Sequence, residues 1–154
     1  MDSQLIEEIL GNTIKCFLEK EIDLFSIDAN ERSLTHKFAE YLQIFVGDVW
    51  KVDCEYNRYG DEPKKLDEIK NIVGNNTTTD KIKSKTVYPD IIIHKRGQLG
   101  HNLLVIEAKK DPTHKEEIID TNKLKKIQEK YRYDFAIFLI FDIGQKQITY
   151  KFIQ

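Results

Sequence analysis

No stretch of this sequence approaches the roughly 18 consecutive apolar residues that a membrane-spanning helix requires, so no such helix is expected. The first ten residues, MDSQLIEEIL, carry no basic group ahead of their apolar ones, so a secretory leader is not expected and the cytoplasm is the expected compartment. Cysteine is scarce. Cys16 and Cys54 stand in neither a metal-binding nor a redox spacing and read as reduced, structural residues. The four histidines, His36, His94, His101 and His114, lack His-x-x-x-His spacing, and each reads as a surface or loop residue. A dominant sign of charge is missing too: the net value is −2, which by itself does not mark a polyanion binder. Internal repeats and a second domain are also absent, so one domain over residues 1–154 is expected.

What is present fits a soluble globular chain, with 40% hydrophobic and 32% charged residues. The charge is unevenly spread. Residues 1–60 hold 6 Lys and Arg against 12 Asp and Glu, whereas residues 61–154 hold 18 against 14. The basic excess therefore lies in the second part of the chain.

Hydrophobic periodicity predicts a helix over residues 3–20, with Ser3 as N-cap and Leu5, Ile6, Ile9, Leu10, Phe17 and Leu18 on one stripe. A second helix is predicted from Asn30, carrying Leu34, Phe38, Tyr41, Leu42 and Phe45 and ending at Gly47. Residues 50–57 alternate apolar and polar, a strand pattern that sets Asp53 and Glu55 together on its outward side. Residues 58–85 read as a polar, flexible insertion with a short helix over 64–73. Two β-branched runs follow, 86–95 and 102–110, joined by a hairpin signal in residues 96–101. A charged helix over 115–131 has Leu124, Ile127 and Tyr131 on its inner stripe, extended back to Asp120. The run Phe135–Phe141 reads as a strand buried on both faces, and Gly144 leads to a last strand over 148–153. The order α-α-β-β-β-α-β-β implies a three-layer α/β domain with a mixed sheet.

The chemistry concentrates in the hairpin. If its turn is centred between Gln98 and Leu99, facing residues have numbers summing to 197, and Asp90 lies opposite Glu107 at a Cβ separation of about 5 Å. Strand alternation then turns Lys109 to the same side as Glu107. Two carboxylates so close repel each other unless a cation or a shifted pKa relieves them. Oxygen ligands favour a hard ion such as Mg2+, and the carbonyl of Ala108 could supply one more oxygen. Lys109 beside a bound water would help to form hydroxide and to offset charge on a pentavalent phosphate. A lone Glu-x-Lys is commonplace on surfaces; the facing Asp90, the preceding Pro89 and the apolar flanks distinguish this one.

Tyr88-Pro89-Asp90, the hairpin and Ile106-Glu107-Ala108-Lys109 together resemble the signature of the PD-(D/E)xK nucleases. The resemblance implies a restriction-endonuclease-like αβββαβ core from about residue 30 to 141, with an extra N-terminal helix and a C-terminal strand. It further implies Mg2+-dependent hydrolysis of phosphodiester bonds (Mn2+ substituting), with nucleic acid as partner, DNA before RNA, and a homodimer or a larger DNA-processing complex as settings. Asp90 and Glu107 would be ligands and Lys109 would assist water. In such nucleases a glutamate on the first core helix often completes the site, and Glu31 is the candidate here, one turn before Leu34 at a helix start that favours an anion. Asp120 and Lys123 are lesser candidates for orienting the site or touching phosphate, as are Arg96, Lys81, Lys83 and Lys85 for the phosphate backbone. The alternative reading is a non-catalytic nucleic-acid-binding or regulatory module on the same fold.

Overall fold

The first helix, α1 (Ser3–Ser26), is capped by Asp2, whose side chain accepts the Leu5 N–H at 2.9 Å; this displaces Ser3 from the predicted cap. It runs six residues beyond the predicted end because Phe25 extends the buried stripe past a kink at Glu21. Leu5 lies on the solvent side of that stripe instead of within it. The second helix, α2 (Glu31–Val46), begins at Asn30 as expected, with the Asn30 side chain accepting the Ser33 N–H. It ends at Gly47, whose φ of 77° is open to glycine at little cost. Val46 takes the buried last-turn position in place of Phe45, which is exposed.

The computed structural model describes residues 1–56, 58–59, 62–74, 77–86, 88–97 and 101–153. Nine strands appear among them. β1 (Lys51–Cys54), β6 (Ile91–His94), β7 (Asn102–Lys110), β8 (Tyr133–Asp142) and β9 (Gln147–Phe152) form a five-stranded sheet in the order β1-β6-β7-β8-β9. All neighbours are antiparallel except β7 and β8, which run parallel. A parallel pair needs a crossover, and α3 (His114–Tyr131) supplies it. Thr113 and Glu116 close a capping box at the α3 start.

Side-chain alternation splits the core. Ile91, Ile93, Leu104, Ile106, Ile137, Leu139 and Phe141 face α1 and α2, whereas Ile92, Val105, Ala136 and Phe138 meet Leu124, Ile127 and Tyr131 of α3. β8 is thus covered on both faces, and the mixed-sheet, three-layer α/β arrangement follows. No described helix is long and apolar enough to cross a membrane.

The predicted helix over 64–73 is not there. Those residues belong mostly to β4 (Lys65–Gly74), which pairs along its full length with β5 (Thr77–Thr86) in an antiparallel ladder separate from the main sheet. Leu66, Ile69 and Val73 imitate a helical stripe, but ten consecutive cross-strand pairs override it. A short pairing of β2 (Arg58–Tyr59) with β3 (Glu62–Pro63) precedes this hairpin. Thr86 therefore ends β5, and the strand predicted over 86–95 shrinks to β6. Residues 60, 61, 75 and 76 of the tract expected to be flexible lie outside the described residues. The inserted segment leaves and rejoins the sheet at one place, since the Glu55 N–H donates to the Asp90 carbonyl at 3.1 Å.

Candidate metal centre

Ile91 faces Ile106, Ile92 faces Val105 and Ile93 faces Leu104, each pair summing to 197. One step further along the same register places Asp90 opposite Glu107. Beyond Ile93 the register slips by one, with His94 facing Asn102 and Leu103 as the extra residue of a bulge. The Lys95 N–H donates to the His101 carbonyl beyond it, in the shifted register. Residues 98–100, where the hairpin turn was expected, are outside the described ones. The carboxylates sit on the unshifted side of this bulge.

Asp90 replaces a ladder bond. Its Oδ2 accepts the Ala108 N–H at 2.8 Å, fixing the side chain across the strand end. The residue that the register sets opposite Ala108 is Pro89, which has no N–H to give. In an antiparallel ladder a residue's N–H and C=O leave its strand on the same side, so the Ala108 carbonyl points toward Asp90 without that ladder bond. Burial raises the Asp90 pKa, partly countered by the Ala108 N–H.

Glu107 is 6% exposed. Its Oε1 is ion-paired to Lys123 Nζ on α3, while its Oε2 is buried with no hydrogen-bond partner. Burial, and then the neighbouring Asp90, push its pKa up to about 7. A buried carboxylate oxygen without a donor is costly, and a hard cation between Asp90 and Glu107 would relieve it. The donor set, two carboxylates and a strand-end carbonyl, is all oxygen and fits Mg2+ or Mn2+ that retains water ligands.

Lys109 lies at the same end, its Nζ 3.8 Å from Glu31 Oε1 and 3.9 Å from Asp120 Oδ2. Glu31 reaches this point from the first turn of α2, and its Oε2 accepts the Lys110 N–H at 2.9 Å. Asp90, Glu107, Lys109 and Glu31 are therefore drawn to one end of the sheet. Among the described residues, however, no three His, Cys, Asp or Glu side chains converge as a metal-ligand group. Glu31 is engaged with the β7 backbone and Lys109, leaving Asp90 and Glu107 as the facing pair. A cleft of about 300 Å³ opens beside Asp90, with Glu31, Arg32, His36 and Glu55 also in its walls. An exposed ion pair, Arg32 to Glu55 at 2.8 Å, joins α2 to the end of β1 there.

Other expectations need correction. His94 is buried, not a surface histidine, and its Nε2 lies 2.8 Å from Asp53 Oδ2. Asp53 turns inward to it and is also held by Arg96, so Asp53 and Glu55 do not share an outward face. Burial alone would raise the Asp53 pKa, but Arg96 and His94 bring it below the ordinary value. Arg96 is thus committed to Asp53 in this structure. Lys81, Lys83 and Lys85 lie on β5, whose ladder with β4 is separate from the five-stranded sheet. Periodicity gave no hint of Lys64, which is fully buried with Nζ within 6 Å of the ring centroids of Tyr56, Tyr131 and Tyr133. Lys123 carried only a weak signal, its three-residue spacing from Asp120. Compared with protein-family models, with curated proteins and with solved structures, the chain matches none of them.

Proposed function

We propose that this protein is a divalent-metal-dependent nuclease of the PD-(D/E)xK type, hydrolysing phosphodiester bonds in nucleic acid, with DNA as the first substrate to test. The observation that carries the reading is Glu107 Oε2, a buried carboxylate oxygen without a donor on a side chain facing Asp90. The succession α2-β1-β6-β7-α3-β8, with the parallel β7–β8 pair, is consistent with a restriction-endonuclease-like core.

Asp90 and Glu107 would hold the ion, with the Ala108 carbonyl as a third oxygen. Bound there, Mg2+ would lower the pKa of a water and polarise a phosphate oxygen. The chain's own groups do the rest. The Lys109 ammonium, steadied between Glu31 and Asp120, is placed to hold the attacking water and to offset charge as it builds on phosphorus. Glu31 acts here mainly by fixing Lys109 and the end of β7. The cleft beside Asp90 offers room for the strand adjoining the scissile phosphate. So small a domain leaves little surface for reading bases, which favours weak sequence preference or a targeting partner.

The test is a cleavage screen over single-stranded, duplex and branched substrates with Mg2+ and Mn2+, alongside Glu107→Gln and Lys109→Ala. Both substitutions should abolish cleavage; undiminished cutting by either removes that residue from the site. A second reading, a non-catalytic binding or regulatory module, draws support from the described residues, among which no third metal-ligating side chain converges with Asp90 and Glu107. Calorimetric titration separates the two, since that module would neither take up Mn2+ nor cut any substrate.

A further inference from the structure

Glu107 can serve a cation only if its carboxylate is held in one orientation, and nothing on its own strand does this. The group that holds it comes from the opposite layer. Lys123 projects from α3 with its Nζ on Glu107 Oε1, and its side chain is only 32% exposed. Two other charged groups act on the carboxylate, Asp90 from the start of β6 and Asp120 one helical turn before Lys123, while Lys109 on the same strand is placed between Glu31 and Asp120. Asp90 and Asp120 are anions, and neither can hold Glu107 in place. With Oε1 committed to Lys123, Oε2 remains as the oxygen without a partner.

We infer that Lys123 is a positioning residue of the candidate metal centre, orienting Glu107 so that Oε2 is presented to the cation. This rests on the nuclease reading of the site and assigns it a further side chain, on α3. Lys109 and Lys123 thereby have separate tasks: Lys109 stands at the strand end between Glu31 and Asp120, while Lys123 sets the geometry of a ligand. Groups that orient metal ligands typically contribute 10–100-fold to metal affinity or activity.

The experiment is calorimetric titration of Mn2+ into the full chain, comparing the native protein with Lys123→Ala, Lys123→Gln and Lys123→Arg, each checked for native circular dichroism. Lys123→Ala should weaken Mn2+ binding by about 10–100-fold, and Lys123→Arg, which keeps the ion pair, should recover most of it. Lys123→Gln, which keeps a donor without the charge, should fall between and serves if the alanine variant does not fold. Equal Mn2+ affinity in the native and alanine proteins would make Lys123 a bystander and overturn the inference alone. Tighter binding in Lys123→Ala would show a competitor for the site and overturn it as well. Failure of the native protein to bind Mn2+ would overturn the nuclease reading and, with it, this role.

Discussion

Glu107 stores a measurable conflict between folding and function. Its pKa is raised to about 7, first by burial and then by Asp90, against an ordinary value near 4.5. Between those values the metal-free folded protein holds a proton that the unfolded chain has released, so folding stability falls as pH rises from about 4.5 to about 7. Thermal melts in a chelator should show this decline, and Glu107→Gln should flatten it and raise the melting temperature at pH 8 by several degrees. The same variant should lose cation binding, separating stability from activity in one side chain. Asp53 behaves oppositely. It is held by His94 and Arg96 and is only 12% exposed, so Asp53→Ala should cost about 2 kcal/mol in chemical denaturation by leaving a buried histidine and a cation without their acceptor. The register that sets Asp90 against Glu107 was reached from the sequence through a compensation: the assumed turn centre gives sums of 197, the pairs next to the turn sum to 196, and the bulge at Leu103, which no spacing announced, restores 197 at Ile91–Ile93. The role of Lys123 was not legible, because an apolar stripe fixes which side of a helix is buried but not which flanking polar group reaches the sheet. His94 was misread for a related reason: its partner lies on β1, and no pattern within the 86–95 run reveals the β1–β6 register.

At the scale of elements, the strongest periodic signals held. α2 with its Asn30 and Gly47 ends, the doubly covered β8 and the α3 stripe were all legible, since each depends on local spacing and capping. The segment 58–86 was not, because a strand with polar residues declares itself only when paired, and the partner of β4 is β5 instead of the main sheet. Lys64 defies its chemistry: it is a fully buried charge at the base of this insertion, surrounded by three tyrosines. Burial lowers its pKa to about 8 from 10.5. The unfolded chain therefore binds the extra proton between those values, and stability should rise as pH climbs from about 8 toward 10.5. Lys64→Met should erase that rise in melts over this range relative to the native protein. Replacing residues 58–86 with a short Gly-Ser linker is a sharper intervention. The ends it must join are already hydrogen-bonded at Glu55 and Asp90, so the shortened chain should unfold cooperatively and keep its Mn2+ affinity, with a lower melting temperature from the lost Lys64 packing.

For the whole molecule, charge sets a condition on binding. The net value is −2, and the cleft beside Asp90 has Glu31 and Glu55 in its walls. A polyanion approaching this end meets Glu31, Glu55 and Asp90 against one arginine, Arg32, which is already paired with Glu55, so binding of an oligonucleotide should be weak in chelator and strengthen at least tenfold with Ca2+ or Mn2+. Fluorescence anisotropy would show this, and similar affinity in chelator would place the nucleic acid elsewhere on the surface. The Glu55–Asp90 doorway has a kinetic meaning as well. Pairing Cys54 with Ile91 closes a loop of about 37 residues, but once Lys65 and Thr86 are zipped together the unpaired path shrinks to about 17. The saving in chain entropy is about 0.7 kcal/mol, roughly a threefold gain in the odds that β1 finds its edge. The hairpin that contributes nothing to the five-stranded sheet thus acts as a splint for its assembly, shortening the search before the two carboxylates are brought face to face.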